Sequence, residues 1–181
     1  MKRDNIKPVL YRRKRAGKTD YHSRRRLLMS EKPRLVIRPS LKNIAVQFVV
    51  YATTGDRVSV GCSSLELKKK GWSAGGGNVP AAYLTGYLAG KKGIKADIKS
   101  AVLDVGRRAT NKGSRICAAL KGVLDAGVEV PCSKEIFPDE KRIRGEHIAA
   151  YKKAASGMQF SKSSGDNIKE FDDTKKLIEE K

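Results

Sequence analysis

The chain predicts an α/β fold: a mixed sheet of about five strands in the order βββαβαβ, with a basic N-terminal arm before it and a helical C-terminal extension after it. Three observations lead there. Residues 34–63 hold three runs with the two-residue alternation of half-buried strands, separated by turn residues. Residues 78–130 alternate helix-period and short apolar segments, the pattern of helices crossing over a sheet. Between residues 12 and 26, apolar side chains give way to Lys and Arg. The boundaries read as arm 1–33, core 34–131 and extension 132–181.

The arm comes first. Arg12, Arg13, Lys14 and Arg15 form one basic block, and Arg24, Arg25 and Arg26 a second. A polar hinge, Gly17-Lys18-Thr19-Asp20, separates them and leads into Tyr21 and His22. This segment has too little apolar surface to offset the entropy of ordering it. It is expected to be disordered alone and to order against a polyanion, with RNA the leading candidate. Leu27, Leu28 and Met29 anchor its end on the domain, and Asp20 holds its bend or caps a turn.

Pro33 marks entry to the first strand, residues 35–37, and residues 39–43 make a turn. The second strand spans 44–51, with Ile44, Val46, Phe48 and Val50 on one face. The third spans 57–62, with Val58, Val60 and Cys62 inward. Residues 71–77 read as a flexible glycine connector in which Trp72 plugs the sheet.

Asn78 then caps a helix, with Pro80 in its first turn, Ala81, Leu84 and Leu88 as its stripe, and Gly93 as its end. A short strand at 101–104 precedes a polar loop, 106–113. The second core helix spans about 114–126, with Ile116, Leu120, Val123 and Leu124 inward and Gly127 as cap. A last strand is expected at 128–130, closed by Pro131. In the extension, Pro138-Asp139-Glu140 opens a helix through Tyr151, residues 156–166 are loop-like, and a thin stripe of Ile168, Phe171, Leu177 and Ile178 marks a final helix that needs a partner.

Composition narrows the function classes. A formal net charge of +20, spread along the chain, suits a nucleic-acid or anionic partner better than a small metabolite. The longest mostly apolar run, residues 44–52, is far short of the ~20 residues of a membrane span, and the arginine blocks lack the Leu, Phe or Trp of an interfacial helix. The expectation is no membrane and no secretory signal. Cys62, Cys117 and Cys132 are odd in number and without C-x-x-C spacing, which argues against a disulfide or zinc framework. No metal or cofactor is expected.

Catalytic readings fare poorly. Gly17-Lys18-Thr19 matches the end of a phosphate-binding loop, but Arg12 stands where that loop needs glycine. A two-metal nuclease needs clustered carboxylates at strand ends, whereas Asp104 is followed by Arg107 and Arg108, and Asp56 lies in a turn. His22 and His147 have no partner in sequence; His22 beside Tyr21 suits stacking on an unpaired base. The run Lys68, Lys69, Lys70 reads as an RNA contact at this net charge.

Several motifs together carry a resemblance. Gly17 to Tyr21 with Arg24 to Leu27, then Lys32-Pro33-Arg34-Leu35, Asn78 to Gly86, Leu103-Asp104-Val105-Gly106, Ala119 to Gly127 and Arg142 to Ile148 resemble, in order, the universal 5S-rRNA-binding family of large-subunit ribosomal protein eighteen, archaeal and eukaryotic type. The resemblance covers about residues 9–155. It implies a ribonuclease-H-like topology without catalysis and a structural role in the large ribosomal subunit. It implies docking of 5S rRNA onto 23S rRNA in the central protuberance, with large-subunit protein five and other proteins of that region as neighbours.

On this reading the arm contacts RNA through its arginines with Lys14, Lys18, Thr19, Tyr21 and His22. Arg107, Arg108 and Lys112 supply a second contact, and Ser40, Lys42 and Asn43 a third. An RNA-cleaving enzyme and a general RNA chaperone are the alternatives.

Overall fold

The computed structural model describes residues 9–154 and 167–180. The polar segment at 156–166 lies outside the described residues. Two helices form in the arm, α1 (Arg12–Arg15) and α2 (Tyr21–Leu28). The sheet combines β1 (Arg34–Pro39), β2 (Ile44–Val50), β3 (Arg57–Ser63) and β4 (Val102–Asp104) in the order β3-β2-β1-β4. β1 pairs antiparallel with β2 and parallel with β4, and β2 pairs antiparallel with β3.

The sheet among the described residues has four strands where the sequence predicts about five. Val128 and Val130 are buried, but residues 128–130 make one isolated parallel bridge, Ser100 to Glu129. Gly127 leaves the preceding helix at φ +107° and Pro131 has no N–H to extend a ladder, so too few residues remain for a strand.

Strand alternation puts Leu35, Ile37, Ile44, Val46 and Phe48 in the core, all at 0% exposure. Arg34, Val36 and Arg38 take the opposite, outer face. The pairing shifts between Phe48, opposite Val60, and Val49, opposite Val58, which leaves Ser59 as an extra residue on β3. One extra residue reverses the alternation. Val58, expected inward, therefore sits on the outer face and is 54% exposed. Val50 ends its strand and is exposed too, while Val49 is buried on the outer face beside Arg34.

The segment after β3 is not a flexible connector. Ser63 and Glu66 form a capping box that starts α3 (Ser64–Lys68), which the sequence reading leaves unassigned. Trp72 is buried as expected, and its indole N–H donates to the Gly75 carbonyl at 3.4 Å. A Cβ on Gly77 would lie 2.6 Å from the Leu41 carbonyl oxygen, so this stretch packs tightly against the β1–β2 turn.

α4 (Val79–Lys95) starts where expected: the Asn78 Oδ1 accepts from the Ala81 N–H at 2.9 Å, with Pro80 in the first turn. It runs past Gly93, because that glycine serves a contact; a Cβ there would stand 3.0 Å from the Phe48 ring. The sequence shows one apolar stripe on α4, yet the helix is buried almost all round. The sheet and α5 (Arg115–Asp125) pack against it. α6 (Glu140–Arg144) and α8 (Asn167–Glu179) contact it as well. Where α4 crosses α5, Gly86 meets the Ala119 carbonyl and Gly122 meets the Tyr83 carbonyl, so backbone touches backbone.

The helix expected to run on to Tyr151 is two helices. Gly145, at φ +83°, ends α6, and α7 (Glu146–Ala154) follows. α8 finds its partner within the chain. It buries Asn167, Phe171, Thr174 and Ile178, with Phe171 5.7 Å from the Tyr83 ring, while Leu177 remains 44% exposed. Tyr83 donates to Asp125 at 2.8 Å and Tyr87 to Glu179 at 2.9 Å. Cys62 and Cys117 are buried and Cys132 is exposed. No helix among the described residues is long and apolar enough to cross a membrane.

Candidate nucleic-acid interface

Among the described residues 9–33 the arm forms α1 and α2, and the protein supplies part of the counter-charge itself. Asp20 caps α2, accepting from the His22 N–H at 2.9 Å, the Ser23 N–H at 3.3 Å and the Ser23 hydroxyl at 2.7 Å. The Ser23 hydroxyl, then the Ser23 and His22 amides, hold the Asp20 carboxyl below its ordinary pKa. Arg13 Nε donates to the Thr19 hydroxyl at 2.8 Å and folds the hinge back on α1.

From α2 a chain of ion pairs crosses the outer face of the sheet. Arg24 Nη2 lies 2.8 Å from Asp56 Oδ1, and Arg34 Nη2 lies 2.7 Å from Asp56 Oδ2. Arg34 Nη1 lies 2.8 Å from Asp104 Oδ2, and Arg38 Nη2 lies 3.0 Å from Asp104 Oδ1. The Gly106 N–H adds a bond of 2.9 Å to Asp104, and Arg107 Nη1 reaches back to the Gly17 carbonyl at 2.8 Å. Burial alone would raise Asp104, but Arg38, the Gly106 amide and Arg34 outweigh it and hold the carboxyl below its ordinary value. Asp56 follows the same pattern: burial raises it, and Arg34 and Arg24 bring it down.

This network lies beneath a groove of about 810 Å³ between arm and sheet. Arg13, Lys18, Arg24, Arg26, Arg107 and Arg108 are among its lining residues, so the arm and the 106–113 loop converge. Arg12, Arg13, Lys14, Arg15, Lys18, His22, Arg25, Arg26, Arg108 and Lys112 are exposed. Thr19 and Arg24 are committed to internal bonds, and Arg107 donates internally through one nitrogen. Tyr21 is 37% exposed and leans on Tyr11 at 5.5 Å between ring centres.

The other expected contacts lie outside this groove. Ser40 and Asn43 close the β1–β2 turn on each other, the Ser40 hydroxyl donating to the Asn43 carbonyl at 2.7 Å. Asn43 also accepts from the Ser64 hydroxyl at 3.4 Å, and Lys42 is exposed beside the tip. Lys68 and Lys69 are exposed at the end of α3, whereas Lys70 donates to the Leu177 carbonyl at 3.1 Å and helps hold α8.

Four residues that brace the candidate interface from within are not singled out by the sequence: Arg34, Arg38, Asp56 and Arg115. Arg115 braces the turn by donating to the carbonyls of Ser40 at 2.9 Å and Gly77 at 3.0 Å. Arg34 and Arg38 carried a readable signal, since they alternate with Leu35 and Ile37 and must face away from the core. Asp56 and Arg115 carried none, because their partners are remote in sequence. Among the described residues no three His, Cys, Asp or Glu side chains are placed to share a metal ion.

The family model described as ribosomal large subunit proteins 60S L5 and 50S L18 matches residues 7–100. A large ribosomal subunit protein uL18 from Korarchaeum cryptofilum is 55% identical over 151 residues, 83% of this chain and 77% of the relative. One of the same name from Methanothrix thermoacetophila is 50% identical over 143 residues, 79% of this chain and 85% of the relative.

Proposed function

The chain belongs to the uL18 family of large-subunit ribosomal proteins, and from that premise we propose that it binds 5S rRNA and docks it onto 23S rRNA in the central protuberance. Membership makes it a structural constituent of the ribosome, in the cytoplasm, and not an enzyme. The finer assignment rests on one observation above the others. A cluster of exposed arginines and lysines on the arm is fixed to the 106–113 loop through Arg107 and to the sheet through Arg24. A cation surface held in one geometry can select an RNA shape, where a loose polycation can only condense on it.

In this proposal residues 1–33 grip RNA, residues 34–131 form the block that sets the grip, and residues 132–181 extend that block. Arg12, Arg13, Arg15, Arg25, Arg26 and Arg108 take phosphates, with Lys14, Lys18 and Lys112 adding charge. The braced Ser40–Asn43 turn with Lys42 and the pair Lys68 and Lys69 offer separate contacts away from the groove. Large-subunit protein five and other central-protuberance proteins are the proposed protein neighbours.

A salt titration with 5S rRNA tests the reading. With about eight phosphates contacted, affinity falls roughly 10³- to 10⁵-fold between 50 and 200 mM salt. Competition with a tRNA of similar length separates docking from general chaperoning. A flat salt response, or equal affinity for the two RNAs, counts against the proposal.

A further inference from the structure

A second, smaller groove lies between α2 and the end of β2. It holds about 440 Å³ and is lined by Tyr21, Arg24, Arg25, Leu28, Met29 and Tyr51. Tyr21, Arg24, Arg25 and Leu28 recur at helical spacing, so one face of α2 forms one wall. Tyr51, the residue after β2, belongs to the other. Tyr51 is 54% exposed and Met29 75%. Arg24 is already neutralised by Asp56 at 2.8 Å, while Arg25 is exposed.

We propose that this groove receives an unpaired nucleobase of the bound RNA, stacked on Tyr51, with Arg25 on the adjoining phosphate. The inference rests on the reading that the chain binds ribosomal RNA, and it adds a contact to it. Three features select the occupant. Two tyrosine rings present aromatic surface at the edge of a cationic face, which suits a base whose backbone is already tracked by arginines. The lining is mostly apolar, but it includes the exposed Arg25. An apolar protein segment seated there would desolvate that guanidinium without a counter-charge. A nucleotide brings both the flat base and the anion. The groove is also held open from within, because the Arg24–Asp56 ion pair positions α2 and the Tyr11 ring backs Tyr21.

The test uses the full chain, 5S rRNA and two variants, Tyr51→Leu and Tyr51→Phe. Stacking predicts that Tyr51→Leu weakens binding about 5- to 150-fold while Tyr51→Phe leaves it unchanged. The salt dependence stays the same in all three proteins, since no phosphate contact is removed. Because Tyr51 is more than half exposed, both variants should unfold at the parent's denaturant midpoint, which checks folding. Unchanged affinity in Tyr51→Leu overturns the proposal while leaving RNA binding intact. Equal losses in both variants overturn it as well, since the hydroxyl and not the ring would then matter. A flat salt response in the parent protein instead removes the premise of RNA binding.

Discussion

Arg24 grips Asp56 across a sequence separation of 32 residues, with one guanidinium nitrogen 2.8 and 2.9 Å from the two carboxylate oxygens. The pair is partly open to solvent, so its direct contribution to stability is small, on the order of 1 kcal/mol or less. Its structural effect is larger, because it ties α2 to the turn before β3. Asp56→Ala should lower amide-exchange protection across α2 and leave the protection of α4 unchanged. Equal protection of α2 in both proteins would show that the arm is held by other contacts.

Asp104 is the more costly residue to lose. Its partner Arg34 has a side chain only 4% exposed. Removing the carboxylate leaves a buried guanidinium with one partner, Asp56, in place of two. Asp104→Ala should cost about 3–5 kcal/mol in urea denaturation, the range for breaking a buried pair from one side. A loss below about 1 kcal/mol would place this pair with ordinary surface ion pairs.

The network also fixes the sign of the pH response. Asp56 and Asp104 are both lowered from the ordinary value of 3.8 in the folded chain. The unfolded state therefore binds protons first as pH falls. The stabilisation is complete above the ordinary carboxylate range and drains away as pH drops through the folded values. Tyr87 works in the opposite sense: burial and then the bond to Glu179 raise it to about 12. Its contribution is present below pH ~10, the ordinary tyrosine value, and is lost as pH climbs through about 12. Denaturation midpoints against pH should decline on both flanks. Asp104→Asn should flatten the acid flank only.

The α4–α5 crossing predicts a contrast between two glycines. Gly86→Ala places a methyl group against the Ala119 carbonyl. It should destabilise by roughly 3 kcal/mol or more, beyond the usual range of overpacking, because backbone on both sides must move. Gly75→Ala, with nothing within 4 Å of its Cβ position, should be near neutral. Thermal denaturation of the two variants gives the comparison, and similar midpoints would sink the prediction.

Phe171 tests whether α8 belongs to the core. Phe171→Ala should cost about 3–5 kcal/mol, the range for a buried aromatic. The variant should also expose Tyr83 and Tyr87, which absorbance titration would report as earlier tyrosine ionisation. An unchanged titration would mean that α8 stays seated without its ring.

Much of this architecture was legible one element at a time. Asn78, Ser114 and Asp20 cap helices as their residue types require, and Trp72 plugs the core. The failures share a cause: local patterns cannot report distant partners. The extra residue Ser59 inverts β3 without any mark in the sequence. Gly93 looks like a stop signal, but its neighbour across the core is Phe48. Composition alone does not place α2 on the sheet, because Asp56, which pairs with Arg24, arrives from another part of the chain. The basic residues themselves stand out in the sequence. Their division into exposed contacts and internal braces, as with Arg25 beside Arg24, required the fold.

The seating of α8 on Tyr83 and Tyr87 sets an order in time. Glu179 leaves the ribosome 92 residues after the Tyr87 whose hydroxyl it receives. While the chain is being made, the sheet, α4 and α5 can assemble first. Throughout that interval the Tyr87 hydroxyl lacks its Glu179 partner and the Tyr83 ring lacks Phe171. Translation thus completes the sheet, α4 and α5 in the chain before α8 exists to close over Tyr83 and Tyr87.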